Sequence, residues 1–189
     1  MIALVVVLLV AAAVAGVLAA RRGTEGVAGV VAAAVPALFV GAAAVVALAA
    51  PAATGFGLAA ARVAAVVAAM AGGSALVTAA FTLAGATGRN TPDPAPSDGD
   101  TEGEPSGGDP VPEPPLRGGL AIGVLERAAI AVCVLANFAA GLAVIVAAKG
   151  LARYPELRHP GAAEQFIIGT FVSVLWAVAC AGVAVALGR

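Results

Sequence analysis

The most constraining feature of this chain is a set of long stretches without a single charge. Ile2 to Ala20 is one and Gly26 to Ala61 is another. A helix needs about 20 apolar residues to cross roughly 30 Å of hydrocarbon. The first stretch matches one crossing and is closed by Arg21 and Arg22. The second is too long for one crossing, and the turn signal between Pro51 and Gly57 divides it. The expected helices are therefore 2–20, 27–50 and 57–86, with Arg62 inside the third. A fourth span is expected over 119–148, with Glu126 and Arg127 near its start, and a fifth over 163–187. The first stretch has no basic residues ahead of it, so it reads as a retained helix and not as a signal peptide.

Composition agrees. Of 189 residues, 61% are hydrophobic and 11% are charged, against roughly 45–50% and about 25% in an ordinary soluble domain. Such a chain does not stay dissolved as one globule. A formal net charge of -1 offers no polycation surface, so no nucleic-acid partner is expected. The lipid bilayer is the expected environment. The scarcity of lysine against arginine and the wealth of alanine and valine suggest a G+C-rich bacterial genome, hence a multi-pass protein of the bacterial cell membrane. Cys133 and Cys180 sit in apolar runs and read as small hydrophobes, not as a disulfide or metal site. No cofactor is expected.

Residues 88–118 are a different material. This segment holds eight of the prolines and seven of the 11 acidic residues. It cannot bury enough apolar surface to offset its ordering entropy. It reads as a disordered acidic linker between an N-terminal three-helix part (1–87) and a C-terminal two-helix hairpin with a charged loop (119–189). Its alternative role is docking of a basic protein partner.

The N-terminal spans are mostly Ala and Val, so helix axes can approach closely. Gly16, Gly41, Gly72 and Gly73 are the expected points of closest approach, and Pro36 a candidate kink. Arg62 reads as a snorkelling side chain, with an ion pair to Glu126 as the alternative. In one continuous fourth helix, Glu126, Ile130, Cys133, Asn137 and Gly141 would share a face. The next helix presents Gly169, Ser173, Trp176 and Cys180. These two faces are expected to pack together, with Asn137 or Ser173 bonding across the seam. Between them, Lys149, Arg153 and Tyr154 read as interfacial anchors. The alternative is a docking surface for an anionic lipid or a protein over 149–164. The lone His159 has no nucleophile or second ligand beside it in sequence, and no catalytic set is visible.

Leu125-Glu126-Arg127, Asn137, Ala147-Ala148-Lys149-Gly150-Leu151-Ala152-Arg153-Tyr154, Glu156, and Ala163-Glu164-Gln165-Phe166-Ile167-Ile168-Gly169-Thr170-Phe171-Val172-Ser173 form a pattern. The pattern resembles the C-terminal hairpin of an uncharacterised family of bacterial integral membrane proteins. The resemblance covers about 119–187. Gly150 stands where a serine is usual and Asn137 near where a glutamine is common. The His and Asp motif of the longer members is absent. The resemblance implies Glu126, Arg127, Lys149, Arg153, Glu164 and Thr170 as site candidates, and Asn137 joins them on its position. It brings no activity with it.

Taken together, the expected architecture is all-α and polytopic, about five transmembrane helices with one long acidic loop. The expected function is a non-catalytic scaffold or regulator acting through a charged loop. The alternative is a small transporter or channel component, which could be a homo-oligomer. With five spans and the N-terminus outside, Arg21, Arg22, Arg89, Arg117, Arg127 and Arg189 fall inside. Lys149, Arg153, Arg158 and Arg62 then fall outside, against the usual bias of basic residues.

Overall fold

A computed structural model describes residues 1–23, 26–85, 119–154 and 160–189. The acidic segment 88–118 lies outside the described residues, as do Glu156, Arg158 and His159 of the charged loop. The described chain is helical: α1 (Ile2–Arg22), α2 (Gly26–Ala49), α3 (Gly55–Leu83), α4 (Gly119–Leu135), α5 (Ala139–Ala152) and α6 (Pro160–Leu187). Four of these, α1, α2, α3 and α6, are long and apolar enough to cross a membrane. Large side chains such as Leu38, Val45, Leu48 and Val63 stand exposed. In water such patches would drive association. In lipid they are the ordinary outer surface.

Glycine sets several helix boundaries. Gly23, Gly26 and Gly55 take positive φ values of 54°, 65° and 59°, which a Cβ would penalise. Arg21 and Arg22 fill the last turn of α1, where cations favour the helix dipole. The helix runs unbroken through Pro36 in α2 and through Gly72-Gly73-Ser74 in α3.

The expected fourth span is where sequence and structure part. It is two helices, not one, because α4 stops at Leu135. Asn137 adopts φ 54°. The Phe138 N–H donates to the Cys133 carbonyl at 2.8 Å and the Asn137 N–H to the Val134 carbonyl at 3.0 Å. This pair of bonds is a Schellman motif with Asn137 at the left-handed position, where asparagine is the usual substitute for glycine. The chain then reverses. Lys149 on α5 reaches Glu126 on α4, Nζ to Oε2 2.5 Å, although one straight helix would hold them about 35 Å apart. At 14 residues, α5 is about 21 Å long, too short to cross the hydrocarbon. Hence α4 and α5 form a hairpin whose start and finish lie at the same end of the bundle. Asn137 is its turn, not a buried polar link between helices, and the single face running from Glu126 to Gly141 does not exist.

This reversal fixes the two ends of the molecule. At one end, Ile2 lies by Gly57, the Ala53 N–H donates to the Leu187 carbonyl at 2.7 Å, and Gly188 lies against Leu58. Both chain termini are there. The other end gathers the last turn of α1, the end of α3, the start of α4, the end of α5 and the start of α6.

The helices converge on Gly72 and Gly73. A Cβ on Gly16 of α1 would sit 2.5 Å from Gly72 Cα. A Cβ on Gly72 would overlap the Trp176 ring of α6, and one on Gly73 would overlap the Arg127 side chain of α4. Gly41, by contrast, has nothing near it. The small face of α6 packs mainly on α3, not on α4 as expected: Gly169 lies by Phe81 and Val77, and Trp176 by Gly72, its Nε1–H donating to the Ala68 carbonyl at 3.2 Å. From Trp176 to the termini the interior is tight. Ala61, Ala65, Ala177, Cys180, Ala184 and Leu187 are buried there.

Candidate functional site

The hairpin α4–α5 brings a guanidinium into the middle of the bundle. Arg127 is only 4% exposed. Its Nη2 donates to the Met70 carbonyl at 3.0 Å and to Ser74 Oγ at 3.4 Å. Met70 lies near the centre of α3, about 20 Å along the helix from Leu83. No carboxylate among the described residues forms an ion pair with Arg127. Its Nε is buried with no hydrogen-bond partner. A cation at that depth is costly unless something compensates it. Gly73 is what allows the approach, since its bare Cα leaves room for the Arg127 stem to lie on the α3 backbone.

Arg127 lines a cavity of about 580 Å³ that opens at the basic end of the bundle. Lys149 and Arg153 from the end of α5 and the following turn also line it. From α6 come Gln165, Thr170 and Ser173, and from α3 come Ser74 and Thr78. Thr170 is 7% exposed, and its Oγ1 is the second buried polar atom without a partner. Arg127 and Thr170 thus both line this space, and each also holds one polar atom sealed in the packing without a hydrogen-bond partner. Buried polar groups in folded proteins are nearly always satisfied, and exceptions need an explanation. The arrangement suits an anion carrying several acceptor oxygens, the species a guanidinium and hydroxyls bind best.

The candidate residues fall into three groups. Arg127, Lys149, Arg153 and Thr170 come together at the cavity. Glu126 stands behind it and holds Lys149 through their ion pair, with side chains 17% and 25% exposed. Asn137 lies at the far tip of the hairpin, away from the cavity, and Glu164 is exposed on α6. Arg62 is exposed near the termini end of α3 and makes no pair with Glu126, whose carboxylate is taken by Lys149. Sequence reasoning missed Ser74, Thr78 and Gln165. Gln165 stood in the quoted pattern without being singled out, and nothing marked Ser74 or Thr78, because a hydroxyl in an apolar helix ordinarily bonds its own backbone, as Thr78 does to the Ser74 carbonyl at 3.2 Å.

Both cysteines are free thiols, and no group of metal-ligating side chains occurs among the described residues. No family model, no curated protein and no solved structure matches the chain.

Proposed function

We propose that this chain is a bacterial plasma-membrane protein that binds an anionic ligand in the Arg127 cavity and acts as a regulator of a protein partner through the charged loop that follows α5. The observation that carries this reading is the buried Arg127 guanidinium, in no ion pair with a described carboxylate, bordering a polar cavity of about 580 Å³. Burying a cation away from water is costly to the fold, and an anion bound beside it offsets that cost. The scaffold role expected from the charged loop becomes ligand-dependent, because Lys149 and Arg153 belong to both the cavity wall and the loop.

The hairpin also supports an orientation. With four crossings and α4–α5 returning to its own side, both termini share one face. Arg21, Arg22, Lys149 and Arg153 are at the opposite face. Arg89, Arg117 and Arg158 lie in the sequence segments that join its helix ends. Only Arg62 and Arg189 belong to the termini face. Basic residues prefer the cytoplasmic side, so the cavity opens to the cytoplasm and the termini lie outside. The five-span arithmetic left Lys149 and Arg153 outside against this trend. Counting the hairpin as a return removes the conflict.

Transport is the second reading, favoured by a polar site beside a broken helix. The tight packing between Trp176 and the termini speaks against it, since the cavity has no exit on that side.

The test is thermal unfolding of the purified protein in detergent with inorganic phosphate, sulfate or acetate. An anion present at 100 times its Kd is expected to stabilise the fold by about 2.7 kcal/mol. Arg127→Gln is expected to keep the helical circular-dichroism signal, to melt no lower than the parent without anion, and to lose the response. A parent that responds to no anion, or an Arg127→Gln protein that still responds, overturns the reading.

A further inference from the structure

Beside the Arg127 cavity lies a second one of about 510 Å³, enclosed by α1, α2, α3 and α4. The two share Ser74, Thr78 and Leu120. They flank the same α3–α4 seam, with the basic cavity toward α6 and the other toward α1. Their linings differ in kind. The basic cavity presents Arg127, Lys149, Arg153 and several hydroxyls. The second is walled largely by carbon, from Val17, Ala19, Met70, Ala75, Ala79 and Val124. Its charged neighbour is Arg21, at the mouth near the end of α1.

Such a pair of adjacent spaces, sharing wall residues, suits a ligand with two chemistries. A small inorganic anion would fill only the basic cavity and leave the apolar one empty. An apolar molecule would leave the cationic wall of Arg127, Lys149 and Arg153 without an anion. A molecule with a phosphate or carboxylate at one end and a hydrocarbon chain at the other satisfies both. The bilayer supplies molecules of this kind, and each cavity lies within the volume range of ligand sites. Resting on the anion-binding reading above, we infer that the ligand is an anionic phospholipid, its headgroup at Arg127 and one acyl chain in the cavity between α1 and α3. Thr78 and Leu120, which border both cavities, are then the residues the acyl chain crosses between headgroup and tail. Charge at the head supplies specificity, while burial of each methylene adds about 0.8 kcal/mol. This makes the ligand a resident of the membrane and not a solute.

The experiment compares three probes on the detergent-purified full chain, by native mass spectrometry and thermal unfolding: phosphatidylglycerol, phosphatidylcholine of the same chains, and water-soluble glycerol phosphate. Phosphatidylglycerol is expected to bind at least about tenfold more tightly than either of the others. Ala19→Leu, which fills the apolar cavity from α1, is expected to weaken phosphatidylglycerol by about tenfold and to leave the response to inorganic phosphate unchanged. Thr82→Leu fills the same space from α3 and serves if the first variant does not fold. Arg127→Gln is expected to lose both responses. Equal binding of glycerol phosphate and phosphatidylglycerol, or filled-cavity variants that bind the lipid normally, would overturn the lipid assignment while leaving anion binding intact. Absence of any Arg127-dependent response removes both readings at once.

Discussion

Asn137 and Gly73 are the two positions where one residue decides the architecture. Asn137 was readable in the sequence as a polar residue deep in an apolar run, but its role was not. Its side chain does not glue helices together. Its backbone takes the left-handed conformation that ends α4, φ 54°. For a β-branched residue this conformation costs roughly 1–2 kcal/mol. Asn137→Gly is therefore expected to hold or raise the melting temperature, and Asn137→Val to lower stability by about 1–2 kcal/mol, as measured by thermal unfolding in detergent. Equal melting of the two variants would mean the turn is not built this way. Gly73 acts through space. Gly73→Ala would force a Cβ into the Arg127 stem. Displacement of the guanidinium is expected, seen as at least about a tenfold loss of anion affinity. Gly41→Ala, which meets nothing within 4 Å, is the matched control and is expected to bind normally.

Among the elements, the hairpin α4–α5 is the least anchored. Gly141 is the only fully buried residue of α5, and this helix packs chiefly on α4. Its return is fixed at one end by the Schellman turn and at the other by Lys149 and Glu126. That pair is half-buried, so its coupling should fall between the exposed and buried limits, about 1–2 kcal/mol. A double-mutant cycle with Lys149→Met and Glu126→Gln measures it. The exchange Lys149→Glu with Glu126→Lys is expected to restore stability that each single change loses. Additive single effects would show that the turn alone holds the hairpin. Helix boundaries elsewhere were legible to within a few residues, because charge, proline and glycine mark them. The break in the fourth span was not, because Ala136-Asn137-Phe138 interrupts the apolar run by a single polar residue.

For the whole molecule, the decisive quantity is which loops share a side. After replacing Cys133 and Cys180 with alanine, single cysteines at Arg22, Arg153 and Arg189 are probed in intact cells with an impermeant thiol reagent. Protection of positions 22 and 153 with labelling of 189 is expected. Positions 22 and 153 labelled alike but opposite to the prediction would invert the orientation and keep the fold. Different labelling of 22 and 153 would restore a fifth crossing and remove the hairpin. The cavity gathers Arg127, Lys149, Arg153 and Thr170 from three helices, of which only the residue types were visible beforehand. The resemblance over 119–187 directed attention to these positions, but not to Ser74 and Thr78 on α3, which complete the wall.

The sequence by itself determined that this chain is helical and where its long apolar helices run. Hydrophobic length and the spacing of charges are local properties, and a bilayer reads them one helix at a time. It also marked Gly16, Gly41, Gly72 and Gly73 as places where helices can approach closely, but only the fold decided that Gly16, Gly72 and Gly73 are used and Gly41 is not. The tertiary structure alone decided that α4 and α5 turn back, that Glu126 holds Lys149, and that Arg127 lies buried against the centre of α3 in no ion pair with a described carboxylate. Each of these depends on residues far apart in the chain meeting across a fold. A deep arginine eight residues into an apolar helix looks like an interfacial one until the neighbouring backbone, bare at Gly73, is known to receive it.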